Sequence, residues 1–381
     1  VTVGLPVRVV LAGSTQDVGG PSEYSAYSVG LDVHARSVVA CGIDGETGEV
    51  FERRLTPQHG EILAWIRELP GPVAVTYEAG PTGYGLARFL PANGIDCVVA
   101  APSKLQRPAG DRVKTDRRDA RHLARLLHLN EIVAVSIPSV TQEAARDLVR
   151  AREATRKDLM SARHRVSKLL LRQGIVYHGG CAWTGKHELW LRAQHFDVPG
   201  RQLAYDTLLD TMLATTDRRD RLDTAIAALA ADSEYTPVVT RLGCLRGVST
   251  LTAFAWAVEI GDWHRLTGRS IGAYLGLVPS ESSSGGSRAQ GPITKTGNGH
   301  VRRLLVEAAW HHRSTYRPSV ALRRRWDQAS TAARARGHAG NRRLHARWQA
   351  FDERHKRVTV ANAAIARELA GWCWSLAVLD D

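Results

Sequence analysis

Acidic residues and cysteines are both scarce in this 381-residue chain. The five cysteines (Cys41, Cys97, Cys181, Cys244, Cys373) are odd in number, scattered and without CxxC spacing. That excludes a disulfide framework and a typical zinc site, and fits a reducing, cytoplasmic setting. No apolar run approaches the roughly 20 residues of a membrane span. The apolar opening, residues 1–12, is short and no signal-peptide pattern follows it, so neither secretion nor a membrane partner is expected. Wholesale disorder is excluded too, because 44% hydrophobic and 23% charged residues are globular proportions. The length allows two or three domains.

The acid deficit is informative. Fifty-one Lys and Arg face 38 Asp and Glu, a formal net charge of +13. The excess is concentrated in two blocks. Residues 101–180 hold 17 basic against 8 acidic residues, and residues 281–350 hold 14 against 3, so the rest of the chain is net negative. Clustered positive charge suggests a polyanion, because each Lys or Arg set against a phosphate releases a condensed counterion. Arginine-rich helices of a high-GC genome are the bland alternative, and the clustering favours nucleic acid.

Residues 1–25, rich in Gly and Ser, read as a flexible leader. Tyr27–Val33 alternates like a strand; residues 37–43 and 49–55 continue the pattern on either side of Asp44-Gly45-Glu46-Thr47-Gly48, a strong hairpin signal. Helical spacing of Ile62, Leu63, Trp65, Ile66 and Leu69 stops at Pro70-Gly71-Pro72. A buried strand at 73–77, a helix at 84–90, a strand at 97–100 and a helix at 116–127 follow. Three antiparallel strands and then β-α alternation is the order of an RNase H-like (RuvC-like) α/β domain, assigned to residues 26–135. From Thr141 the periodicity changes. Leu148, Thr155, Leu159, Ala162, Val166 and Leu169 form a heptad-like seam, broken at 174–185. A second helical pattern runs through Tyr205, Leu208, Met212, Leu222, Ile226 and Leu229. Residues 140–235 read as a helical coiled-coil arm or as a plain helical bundle. The remainder, 238–381, is mainly helical. It contains a helix-hairpin-helix-like cadence at 242–253, whose turn could aim backbone N–H groups at a phosphate. A polar loop at 279–291, a basic helix from His300 and an amphipathic helix at 358–376 complete it.

Four acids stand at informative places. Asp32 ends the first strand, Glu78 ends the fourth, and Asp116 and Asp119 lie three apart on one helix face. Neighbouring first and fourth strands would bring Asp32 and Glu78 to one edge, with the helix delivering the aspartates. Clustered carboxylates need cations, and hard oxygen ligands select Mg2+ or Mn2+, which can clamp a phosphodiester. Singly, Asp116 and Asp119 are equally explained as salt-bridging helix residues. A second candidate site is the run Ser282-Ser283-Ser284 before Gly285-Gly286, where flexible backbone can approach a phosphate. A serine there could attack phosphorus. Arg288, Lys295, Arg302 and Arg303 just beyond, with Lys114 and Arg246 elsewhere, are candidate nucleic-acid contacts. On spacing alone the signal is weak: Ser-Gly-Gly loops are usually only loops, and flexibility alone would explain this one. Trp183, Trp190, Trp310 and Trp326 could stack on bases or fill a core.

With those residues in hand, the chain resembles the DEDD-type insertion-sequence transposases of the IS110 family, relatives of the Piv-type DNA invertases. The resemblance runs from Val29 to Leu376. It is carried by Gly30-Leu31-Asp32, Tyr77-Glu78-Ala79, Lys114-Thr115-Asp116-Arg117-Arg118-Asp119-Ala120 and the 245–253 element. It continues through Gly276-Leu277-Val278-Pro279, Ser283-Ser284-Gly285-Gly286, Ile293-Thr294-Lys295-Thr296-Gly297-Asn298 and Val301-Arg302-Arg303-Leu304. It implies a RuvC-like domain, a coiled-coil arm and a C-terminal transposase domain. By match, Asp32, Glu78, Asp116 and Asp119 would bind Mg2+, and Ser284 would form a phosphoserine link to DNA. It further implies donor and target DNA as substrates, a structured guide RNA from the element's non-coding end, and an assembly of dimers. The residues alone reach only a Mg2+-dependent nucleic-acid enzyme. A RuvC-like nuclease using water, and a non-catalytic binder, remain the other readings. The binder would be expected to lack one or more of the acids, and all four are present.

Overall fold

The computed structural model describes residues 26–105, 115–284 and 286–380, without the side chains of Ser287 and Arg288. The leader at 1–25, Lys114, and the Arg288 side chain therefore lie outside the described residues. The chain divides into two compact units at Pro138/Ser139.

In the first unit, β1 (Tyr27–Val33), β2 (Val38–Asp44) and β3 (Val50–Leu55) form an antiparallel meander. β4 (Val73–Glu78) and β5 (Asp96–Ala100) then add in parallel on the other side of β1. The sheet order is β3-β2-β1-β4-β5, as the β-β-β-α-β-α-β-α pattern predicts. Helices α1 (His59–Arg67) and α2 (Gly85–Ala92) connect the strands, and α3 (Asp116–His128) follows them.

Because successive strand residues face opposite ways, the sheet has two unlike faces. Val29, Leu31, Val38, Val75, Tyr77 and Val99 pack against Ile62, Trp65, Ile66, Leu86 and Leu90 of α1 and α2. The other face carries small residues: Gly30 pairs with Cys41 on one side and Thr76 on the other. There α3 presses directly onto the sheet through Ala120 and Ala124, beside buried Cys41. A Cβ on Gly30 would stand 2.2 Å from the Ala120 carbonyl oxygen and 2.4 Å from the Ala124 nitrogen. Only glycine permits that approach.

Among its described residues the second unit is helical except for one hairpin. Two 33-residue helices, α4 (Val140–Arg172) and α6 (Pro199–Ala231), pack together, with the short α5 (Gly185–Arg192) between them. Leu159, Ala162, Val166 and Leu169 of α4 share a core with Tyr205, Leu209 and Met212 of α6. Near the other ends Arg152 pairs with Asp223 at 2.6 Å, so the helices run antiparallel. The heptad-like positions from Thr155 to Leu169 are buried, whereas Leu148 is half-buried against the other core. That second core gathers α7 (Thr236–Leu242), α8 (Thr250–Ile260), α9 (Ile271–Tyr274), α10 (Gly299–Trp310), α12 (Thr331–Glu353) and α13 (Val358–Ala377). The short α11 (Val320–Trp326) precedes α12. Trp326 is held in this unit, its indole N–H donating to the Cys244 carbonyl at 3.0 Å. Trp310 lies 5.9 Å from Trp348, ring centre to ring centre.

One expectation is corrected. The polar loop at 279–291 is a β-hairpin, β6 (Pro279–Ser284) paired with β7 (Ser287–Ile293). Its β6 residues are exposed or half-exposed, so no apolar alternation announces the strand in sequence.

Candidate active site

The site begins with strand geometry. β1 and β4 are parallel and their last paired residues are Leu31 and Tyr77, so Asp32 and Glu78 emerge side by side at the strands' carboxyl ends. Both lie on the small-residue face covered by α3. Thr115 caps that helix, its hydroxyl accepting from the Arg118 N–H at 3.3 Å. Asp116 and Asp119 occupy its first turn, where negative charge is favoured by the helix dipole. Arg117 and Arg121 both pair with Glu52 of β3, Arg121 at 3.0 Å, which ties the helix start to the sheet.

The acids converge. Ligand atoms of Asp32, His34 and Asp116 all lie within 4.8 Å of one another. Asp32, His34, Glu78 and Asp119 line one cavity of about 920 Å³ at the strand ends. Burial raises the Asp32 carboxyl above its ordinary value. His34 opposes the shift, and Asp116 and Asp119 add to it. A group so placed is relieved by a cation, and the donor set of carboxylate oxygens plus one imidazole nitrogen suits a divalent metal.

His34 was not anticipated from the sequence. Its Nε2 lies 3.1 Å from Asp32 Oδ2 and 3.9 Å from Asp116 Oδ1. The available signal was its spacing: two residues beyond Asp32 along the strand direction, it emerges on the same side.

Ser284 belongs to the second unit. It ends β6 at the tip of the hairpin, exposed and in register with Ser287. Its neighbour Ser283 donates to Glu281 at 2.9 Å. The hairpin base is fixed where two backbones cross. Gly276 and Gly297 both adopt positive φ, and a Cβ on Gly297 would lie 2.0 Å from the Tyr274 carbonyl oxygen. Asn298 donates to buried Glu259 at 2.8 Å.

The basic candidates divide by environment. Arg246 donates to the Ser314 and Thr315 carbonyls, and Arg302 to those of Leu275 and Thr296. Arg303 pairs with Glu153 and Glu307. Each thus makes contacts within the fold, Arg246 and Arg302 through one guanidinium nitrogen. Lys295 is exposed beyond the hairpin.

Comparisons with known proteins agree with this architecture. A model of IS110-type DEDD transposases matches residues 29–174, and the model "Transposase IS116/IS110/IS902 family" matches residues 239–324. The chain is 38% identical to y4qE of Sinorhizobium fredii, a protein with a transposase name, across 96% of this chain and 93% of that one. It is 29% identical to the transposase for insertion sequence element IS1533 of Leptospira borgpetersenii, across 87% and 98%. Among the described residues no helix is long and apolar enough to cross a membrane. The DEDD domain suggests use of a divalent metal, and the family implies DNA substrates. The chain belongs to the IS116/IS110/IS902 family of transposases and is an IS110-type DEDD transposase of an insertion sequence.

Proposed function

We propose that this transposase cuts and rejoins DNA through two groups of residues, a carboxylate tetrad and a serine nucleophile. In this reading Asp32, Glu78, Asp116 and Asp119 hold Mg2+, with His34 as a neighbouring donor. The bound cation would neutralise phosphate charge and polarise the scissile phosphodiester. Ser284 supplies the nucleophile: an Oγ–P bond forms, the P–O bond to the leaving strand breaks, and the released oxygen takes up a proton. Rejoining reverses the exchange, with a strand hydroxyl displacing Ser284. Phosphoserine chemistry conserves the bond energy that hydrolysis would lose, which suits an enzyme that must reseal what it cuts.

The observation that supports the reading is that Asp32 lies within ligand distance of Asp116 and His34 and shares a cavity at the strand ends with Glu78 and Asp119. The net charge of +13 supports polyanionic partners. With the family resemblance, it supports donor and target DNA together with an element-encoded guide RNA. Lys295 is the described exposed candidate for a phosphate contact. The α4–α6 pair serves in this reading as a coiled-coil arm that brings protomers into a dimer or tetramer. The turn between α7 and α8 serves as a helix-hairpin-helix-like phosphate contact. Residues 26–135, 140–235 and 238–381 are the corresponding functional segments.

The test mixes purified protein with the element's RNA, matched donor and target DNA, and Mg2+, and traps covalent adducts on a denaturing gel. An adduct that requires metal, Asp116 and Ser284, and that RNA stimulates, is the expected result. Nicked DNA without an adduct, persisting in Ser284→Ala, would replace this mechanism with a water-using nuclease. Adducts in Ser284→Ala that vanish in Ser282→Ala or Ser283→Ala would move the nucleophile to the neighbouring serine.

A further inference from the structure

A cavity of about 1390 Å³ lies in the second unit, apart from both candidate catalytic sites, bounded by α9, α12, α13 and the base of the serine hairpin. Its volume exceeds the roughly 300–1,000 Å³ of ordinary small-ligand pockets, which favours a polymer over a metabolite. Two features of its lining are independent of each other.

The first is charge. Arg269, Arg336, Arg347 and Arg367 all border the groove, against one carboxylate, Glu368. Glu368 is already engaged by Arg343 and Arg347. Arg269, Arg336 and Arg367 are exposed, and among the described residues they have no acidic partner. Three uncompensated guanidinium groups around one concavity suit a chain of phosphates.

The second is the floor. Ala363 and Ala364 make it apolar, the Arg367 stem lies over buried Gly272, and half-buried Trp372 borders it. Trp372 is seated against α12 at Gly340, where a Cβ would lie 2.9 Å from the indole. An apolar floor with an indole offers nothing to a duplex, whose bases are stacked inside. It suits an unpaired base, which has a free π-face.

We propose that this groove binds an unpaired stretch of nucleic acid, with a base on Trp372 and phosphates at Arg269, Arg336 and Arg367. β7 residues Gln290 and Ile293 form one wall, so a strand held here leads along the hairpin toward the serines at its tip. The proposal rests on the transposase reading for the source of the strand, either DNA displaced during cleavage or a loop of RNA.

The test uses full-length protein in EDTA, so that no strand is cut. Fluorescence anisotropy follows binding of labelled single-stranded DNA, single-stranded RNA and duplex DNA over a range of salt. Trp372→Leu should weaken single-strand binding about tenfold, and the triple variant Arg269→Gln/Arg336→Gln/Arg367→Gln about 100-fold at about 0.1 M salt. Duplex affinity should stay within about twofold of wild type. The triple variant should also flatten the salt dependence by about two logarithmic units per decade, at ~0.7 per phosphate contact. A control triple, Arg53→Gln/Arg192→Gln/Arg221→Gln, removes the same charge elsewhere and should show no such discrimination. Loss confined to RNA or to DNA supports the proposal and identifies the source. Unchanged single-strand affinity, or equal losses for single strand and duplex, overturns it. Should Trp372→Leu fail to fold, the exposed arginines decide alone. A failed adduct experiment would leave this result standing, because binding is read without chemistry.

Discussion

Gly30→Ala tests the reasoning that links fold to site. The added methyl would lie 2.2 Å from Ala120 O, 2.4 Å from Ala124 N and 2.8 Å from Leu123 Cβ. Ordinary carbon contacts need ~3.5–4.0 Å. Two of the three opposing atoms are helix backbone, so no rotamer change relieves the clash. The helix must withdraw from the sheet by about 1 Å or more, at an overpacking cost of about 1–3 kcal/mol. That movement falls on Asp116 and Asp119, carried at the start of the same helix, while Asp32 and Glu78 stay with the sheet. A displacement of about 1 Å in a reacting constellation can cost about 100-fold in rate, and octahedral Mg2+ tolerates little variation around ~2.1 Å.

The assay is metal-dependent strand cleavage at saturating Mg2+, with thermal unfolding measured alongside. We expect Gly30→Ala to lose about two orders of magnitude in activity and a few kcal/mol at most in stability. Gly42→Ala is the matched control. Gly42 lies on the neighbouring strand but its Cβ would meet only side-chain tips, Leu69 at 3.4 Å and Val29 at 3.6 Å, both ordinary contacts, so its activity should stay near wild type. Full activity in Gly30→Ala, or equal damage from both variants, would refute the claim that close packing of α3 sets the carboxylate geometry.

Other consequences concern single charges. Glu52→Gln should loosen the start of α3 by removing the partner of Arg117 and Arg121; we expect about 1 kcal/mol in stability and a larger proportional loss of cleavage, and an unaltered cleavage rate would contradict the role. Asp32→Asn should abolish activity yet raise the melting temperature of metal-free protein at pH 7. Burial, with Asp116 and Asp119, lifts the Asp32 carboxyl despite His34, so its charged form opposes folding above its titration range. That gain should shrink as pH falls and Asp32 takes up its proton, and a destabilised asparagine variant at pH 7 would be inconsistent with it. Glu259 has the opposite sign. Burial would raise its carboxyl, but pairing with His300, Arg150 and Asn298 holds it at about 2. Its stabilisation is complete above about pH 4.5 and is lost toward pH 2, on the order of 3 kcal/mol. Acid unfolding followed by circular dichroism should be flatter over that window in Glu259→Gln, and an unchanged acid limb would count against the assignment.

The first unit was legible because its sequence rules agree with one another. Alternation over 27–33, the Asp44–Gly48 turn and the Pro70-Gly71-Pro72 stop each specify local structure that the sheet then uses. The second unit is less legible. Strand β6 reads Pro-Ser-Glu-Ser-Ser-Ser and buries none of these residues, so its pairing with β7 has no hydrophobic trace. Helix α12 hides Ala333, Gly337, Gly340, Asn341, Leu344 and Trp348 among arginines; its buried seam is largely of small residues that a hydrophobicity pattern passes over. Charge is ambiguous in a different way. Arg246, Arg302 and Arg303 sit in basic stretches that suggest phosphate contacts, and some of their donors also meet carbonyls and carboxylates of this chain. A sequence records the charge of a side chain but not which acceptor lies within reach.

The same distinction explains why the proposed carboxylate site would be more than its four acids. Asp32 and Glu78 are fixed by β1–β4 register, but Asp116 and Asp119 reach them only because one sheet face is built from residues too small to hold a helix away. Gly30, Cys41, Ala120 and Ala124 donate nothing to a metal, and larger residues at these positions would leave all four carboxylates present while separating them. The opposite face shows the alternative: Leu31, Val75 and Tyr77 meet Ile66 and Leu90 there, and bulk on both sides sets the usual wider spacing between sheet and helix. The two faces therefore carry different constraints. On the bulky face, substitutions that conserve volume should cost mainly stability; on the small face, even one added methyl should act on catalysis through the position of α3.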